Sequence, residues 1–191
     1  IKGIYGWGHR SNENILVENC VVWCDWGRAL EIGAETNAAE YANLLFRNCD
    51  VLHGTWLQLD VQHHNDASIH DVTFDDIRCE YTRHQLPLKM QDSLQQTYEE
   101  APAIFPQPAL LGAFFYDMGL FGAPHGHEKM QRLRFTNIQV LCDEEVPMPP
   151  CQFKGMNEEN AICDVVLDGI WRNGVRLSDP QAVNLQCSEY T

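Results

Sequence analysis

The chain has 191 residues, 45% of them apolar, which is enough for one domain with a real core rather than a disordered segment. A net charge of −14 disfavours nucleic acid, whose phosphates need a basic footprint, and leaves a neutral or cation-bridged partner. No run of about 18 apolar residues suggests a membrane span, and eight cysteines without a CxxC pair indicate neither a disulfide scaffold nor a zinc ribbon.

The opening "IKGIYGWGHR" lacks both an initiator Met and the apolar run of a signal peptide, and reads as the start of a processed chain or a fragment. Beyond it the pattern repeats. "NILVENCVVW" from Asn14, "NLLFRNCDVL" from Asn43, "DVTFDDIRCE" from Asp71, "LRFTNIQVL" from Leu133 and "DVVLDGIWRN" from Asp164 align on Asn19, Asn48, Asp76, Asn137 and Gly169. Around these anchors the apolar residues coincide: Ile15, Val17, Cys20, Val22; Leu44, Phe46, Cys49, Val51; Val72, Phe74, Ile77, Cys79; Leu133, Phe135, Ile138, Val140. Only Arg172 breaks the series, in the last unit.

Alternation before the anchor is that of a strand, and the change of parity across it requires a bend, where Asn, Asp and Gly tolerate left-handed backbone angles. The anchors are 29, 28, 61 and 32 residues apart, so each unit spans one circuit. The expected fold is all-β: a right-handed, single-stranded parallel β-helix, one domain over 1–191, incomplete at its N-terminus, of about five to six coils. Within it, 86–129 is a long insertion whose polar, Pro-rich half reads as loop, while "ALLGAFFYD" rejoins the coil as a strand. Cys20 and Cys49 fall at one interior position of successive coils and read as stacked thiols rather than a disulfide.

The same register picks out a candidate site. Glu31 lies 12 residues after Asn19, and Asp60 lies 12 after Asn48. "ALEIG" then matches "QLDVQ", which puts Leu30, Leu59, Ile32 and Val61 inside and stacks Glu31 and Asp60 on the outside. Two carboxylates roughly 5 Å apart repel, so one has a raised pKa. Glycoside hydrolysis uses such a pair, about 5 to 5.5 Å apart for retention and roughly 6.5 to 9.5 Å for inversion; Asp25 or Asp66 is a candidate for the wider partner. Trp26 and Trp56 offer faces for sugar stacking, Arg28, His63 and His64 offer polar contacts, and Lys154 is a candidate groove residue. The plainer alternative is a row of solvated strand residues neutralised by Arg28 or Lys89.

No cofactor is expected. His63 and His64 are adjacent and face opposite sides of a strand, which argues against zinc. Asp25, Glu31, Asp60 and Asp66 offer hard oxygen ligands for calcium, without the spacing of a calcium loop.

Together, "NILVENCVVWCDWGRALEIGAET", "LDVQHHNDASIHDVTFDDI" and "FKGMNEENAICDVVLDGI" resemble the C-terminal part of polygalacturonase-like proteins, glycoside hydrolase family 28 within the pectin-lyase-like superfamily. The resemblance implies the β-helix, polysaccharide degradation and a secreted or periplasmic setting. It makes Asp25 and Glu31 the positional candidates for catalysis. The family's Asn-Thr-Asp, Asp-Asp, Gly-His-Gly and Arg-Ile-Lys motifs are not present in working form: Asp75 and Asp76 sit on a corner, and His125 to His127 read "HGH". The missing Arg-Ile-Lys and the acidic charge argue against galacturonate. The reading is therefore a hydrolase of a polysaccharide or oligosaccharide, with Asp25, Glu31 and Asp60 catalytic. A non-catalytic carbohydrate-binding β-helix is the first alternative. A lyase, using a cation on the acid cluster and Lys89 or Lys154, is the second.

Overall fold

A computed structural model describes residues 1–3, 9–24, 27–52, 57–81, 109–116 and 128–191. The described residues contain strands and no helix, and accordingly no helix long and apolar enough to cross a membrane.

The strands are β1 (Asn12–Glu18), β2 (Val21–Trp23), β3 (Leu30–Ile32), β4 (Glu40–Leu52), β5 (Leu57–His63), β6 (Ser68–Tyr81), β7 (Ala109–Phe115), β8 (Met130–Cys142), β9 (Cys151–Lys154), β10 (Ile162–Arg172), β11 (Val175–Leu177) and β12 (Leu185–Cys187). They form two sheets. One has the order β1-β4-β6-β8-β10-β11, with β2 also on β4; the other has the order β12-β9-β7-β5-β3. Every pairing is parallel except the β10–β11 hairpin. From β3 to β10 the chain crosses between the sheets at each connection, and each return lies beside the strand laid down one circuit earlier.

The long strands owe their path to left-handed residues. Asn19, Asn48, Asp76, Asn137 and Gly169 have φ of 57°, 49°, 54°, 55° and 69°, as the change of parity requires. A second set, missed in the sequence, lies five residues earlier: Asn14, Asn43, Asp71, Arg132 and Asp164, with φ of 58°, 55°, 54°, 56° and 54°. Each long strand therefore bends twice. The corners stack through side-chain amides, Asn43 Nδ2 donating to Asn14 Oδ1 and Asn48 Nδ2 to Asn19 Oδ1, both at 2.6 Å. Arg132, which has no Asx side chain to favour this conformation, is held by a bidentate pair with Asp71 at 2.7 and 2.9 Å.

Between the sheets lies the core, built from the predicted ladders. Leu44, Val72 and Leu133 are buried in register, as are Cys49, Ile77 and Ile138. Phe46, Phe74 and Phe135 stack at 4.6 and 5.2 Å, and Phe153 closes the row edge-on at 5.9 Å from Phe135. Such offset stacking adds to area burial. All eight cysteines are free thiols, and Cys20 and Cys49 each donate to a backbone carbonyl two residues back. "ALLGAFF" is strand β7 between β5 and β9, so the span 86–129 contains a core strand; 86–108 and 117–127 lie outside the described residues. Trp23 lies on β2 and is 62% exposed.

Candidate functional site

On β5, Leu57, Leu59 and Val61 enter the core, so Gln58, Asp60 and Gln62 project from the opposite face. The predicted register holds: Leu30 pairs with Leu59, Glu31 with Asp60, and Ile32 with Val61. Glu31 and Asp60 are therefore neighbours across adjacent strands, about 4.8 Å apart at the backbone.

The expectation that both carboxyls look onto solvent is corrected at Asp60, which is 0% exposed. The reason is the company it keeps. Arg28 Nε lies 2.6 Å from Asp60 Oδ2, and Arg28 Nη1 lies 3.6 Å from Glu31 Oε1, so one guanidinium spans both acids. Gln62 Nε2 donates to Asp60 Oδ2 at 2.7 Å. On the other side, Asp60 pairs with Gly112 of β7, and the Phe114 ring leans back over that glycine, where a Cβ would collide with it. Only glycine leaves room for the ring beside the acid.

Burial pushes the Asp60 carboxyl up to about 8; Arg28 pulls it down, the Glu31 charge raises it further, and the Gln62 hydrogen bond opposes. Glu31 is raised as well, chiefly by burial and against the opposing charges of Arg28 and Lys2. Counting charge explains the direction. One guanidinium balances one carboxylate, and the second carboxyl, in the drier place, keeps its proton.

The two histidines part as expected, on opposite faces. His63 is in phase with Leu59 and Val61: it turns inward, packs 4.8 Å from the Phe115 ring and bonds the Ala67 carbonyl. That orientation corrects its reading as a sugar contact. His64 joins the outer cluster, its Nε2 bonded to Gln62 Oε1 at 3.1 Å and its ring stacked 4.2 Å from Tyr116.

Asp66 belongs elsewhere. It receives Asn37 Nδ2 at 3.0 Å and lies 3.2 Å from His9 Nε2, locking successive turns together in company with the Thr36 and Asn65 bonds. Its bonds are therefore made on the Asn37 and His9 side. Among the described residues no group of three or more His, Cys, Asp or Glu side chains is placed to hold a metal ion. Lys154 is exposed at the rim, beside Phe114 in register and two strands from Gln62. Asp25, Trp26 and Trp56 lie outside the described residues, as do Lys89 and His125 to His127.

The sequence reading missed Gln62, Phe114 and Tyr116. Gln62 was within reach, since it shares the parity of Asp60. Phe114 and Tyr116 were not, because "ALLGAFFYD" follows no anchor residue and nothing local fixes its register against β5. Comparison with family models, with curated proteins and with solved structures finds no match to this chain.

Proposed function

We propose that the chain is a right-handed parallel β-helix, resembling glycoside hydrolase family 28, that hydrolyses a glycosidic bond in a polysaccharide or oligosaccharide on the outer face of β5. The fold reading is supported by two stacks of in-register parallel strands between which the chain alternates. One observation carries the function: Glu31 and Asp60 stand side by side with a single arginine between them, so the pair retains a proton at neutral pH.

In this reading Asp60, protonated, delivers its proton to the departing glycosidic oxygen while Glu31, the more exposed partner, attacks the anomeric carbon; water, deprotonated by Asp60, then cleaves the glycosyl–Glu31 bond. Arg28 holds Glu31 in its charged form and Asp60 in place. The strand spacing of about 4.8 Å is near the separation of a retaining pair. Gln62 orients the Asp60 oxygen that it bonds, and His64 in turn orients Gln62.

A second reading, a carbohydrate-binding β-helix without turnover, is favoured by the complete burial of Asp60 and its contact with Arg28. Reducing-end release from a panel of neutral and uronate polysaccharides, comparing the chain with its Asp60→Asn form, separates the two. Hydrolysis in the wild type that falls by at least about a hundredfold in the variant supports the acid role. Glycan binding without release, equal in both forms, moves the assignment to the binding module.

A further inference from the structure

Phe114 and Tyr116 are half-buried aromatic residues that project from the acid-bearing face, and the sugar reading given above leaves them without a role. Their side chains alternate with the buried Ala113 and Phe115, so both rings stand on the outer face. The ring centroids are 6.2 Å apart with a tilt of 35°. Tyr116 is braced on one side by the parallel His64 ring, 12° from coplanar. Phe114 is braced from below by the bare backbone of Gly112. Both are thus held in fixed orientations rather than free at the surface, and both adjoin the buried acid: Gln62 is the strand neighbour of Phe114, and Arg28, which lies against Asp60, also bonds the Tyr116 hydroxyl.

We infer that Phe114 and Tyr116 form a sugar-stacking subsite beside Asp60, and that the ring it takes is a neutral pyranose rather than a uronate. An amphipathic sugar presents apolar C–H groups to an aromatic face and hydroxyls at its edge. The wall supplies the first. Beside it, the buried Asp60 Oδ1 has no hydrogen-bond partner among the described residues, a polar atom left unsatisfied behind the wall.

Charge decides between sugar classes. Arg28 is shared by Asp60 and Glu31, so one cation already faces two carboxyl groups. A uronate would add a further carboxylate where Arg28 is already matched by Glu31 and Lys2 by Glu35, on a chain of net charge −14. Lys154, beyond Phe114, is exposed, and an exposed pair is worth only about 0–1 kcal/mol. That is too little to offset repulsion from Glu31. This inference rests on the glycan reading of the face but not on turnover.

The test is binding, measured by affinity electrophoresis and calorimetry with a matched pair of probes, a galactan oligosaccharide and an oligogalacturonate of equal length, at pH 7. The galactan oligosaccharide is expected to bind, with affinity falling roughly tenfold in Tyr116→Ala and further in a Phe114→Ala, Tyr116→Ala double variant. Tyr116→Phe keeps the ring and retains binding, which separates stacking from loss of fold; a thermal melt of each variant checks that fold directly. Unchanged affinity in the folded double variant overturns the subsite, as does failure of the wild type to bind the neutral probe. Tighter binding of the oligogalacturonate overturns the neutral assignment. Neutral binding that depends on both rings, without any hydrolysis, leaves the subsite standing and removes the hydrolase reading.

Discussion

Two aspartate–arginine pairs in this molecule respond to pairing in opposite ways. Asp71 is nearly half exposed and held bidentately by Arg132, with His70 also bonded to it; these bonds pull its carboxyl well below the usual range. Asp60 is fully buried beside Arg28, and burial outweighs the arginine and pushes the carboxyl up to about 8. The closest N···O distances are similar, 2.7 Å against 2.6 Å, although Arg132 pairs bidentately and Arg28 reaches Asp60 through Nε alone. Solvent decides the sign: a charge that keeps its water gains from a partner, while a charge stripped of water needs more than one shared partner can return.

Asp60→Asn carries the largest expected effect. A folded pKa of about 8 against an unfolded value near 3.8 means that the folded state binds the extra proton. Stability from this group is therefore complete below about pH 4 and is lost as pH rises to about 8. The variant, an isostere of the protonated form, should lose this slope. It should be more stable than wild type at pH 8 by on the order of a few kcal/mol, with no gain at pH 4. Urea denaturation at the two pH values measures it, and parallel pH slopes for both proteins would show that Asp60 is ionised after all.

Gly112→Ala tests the wall that keeps Asp60 dry. The new methyl would displace the Phe114 ring and crowd the Gln152 carbonyl, at a cost of about 1–3 kcal/mol. Because displacement of the ring admits water, the pH slope assigned to Asp60 should also shrink. A variant that is destabilised but keeps the wild-type slope would place the source of burial elsewhere.

Arg132→Ala should have the smallest effect, because its pair with Asp71 is solvated. Here the sign reverses. A depressed carboxyl contributes stability above its unfolded pKa and loses it as pH falls, so the deficit of the variant should be visible at pH 7 and vanish in acid. High salt should shrink it too. A deficit as large as that of a core substitution would mean that Arg132 stabilises its left-handed corner by something other than the ion pair.

Much of this architecture was legible in the residues because the ladder repeats. Phe46, Phe74 and Phe135 announce one interior column, and the common offset of 12 residues from Asn19 to Glu31 and from Asn48 to Asp60 fixes the register of the acids. The second corner was legible too, in Asn14, Asn43, Asp71 and Asp164, had Arg132 not interrupted it. The burial of Asp60 was not. It depends on Arg28, which enters from outside the strand, and on a ring from β7, about 50 residues further along the chain, that can lean only because Gly112 has no side chain. Alternation tells which face a side chain takes, and distant residues decide whether that face is wet.

The long connections around β7 have a consequence for how this site can change. From Leu52 to Leu57 the chain passes between sheets through 4 residues, and from Tyr81 to Ala109 through 27, yet β6 and β8 still pair in unbroken register. By chain length alone, joining the strands through 27 residues rather than 4 costs only about 2 kcal/mol more. A lineage can therefore lengthen, shorten or exchange those connections at little thermodynamic penalty, while the ladder that aligns Glu31 with Asp60 stays intact. The strand bearing Phe114, with Tyr116 just past its end, sits between two such connections, so the aromatic side of the face is free to diversify while the acid side is held constant.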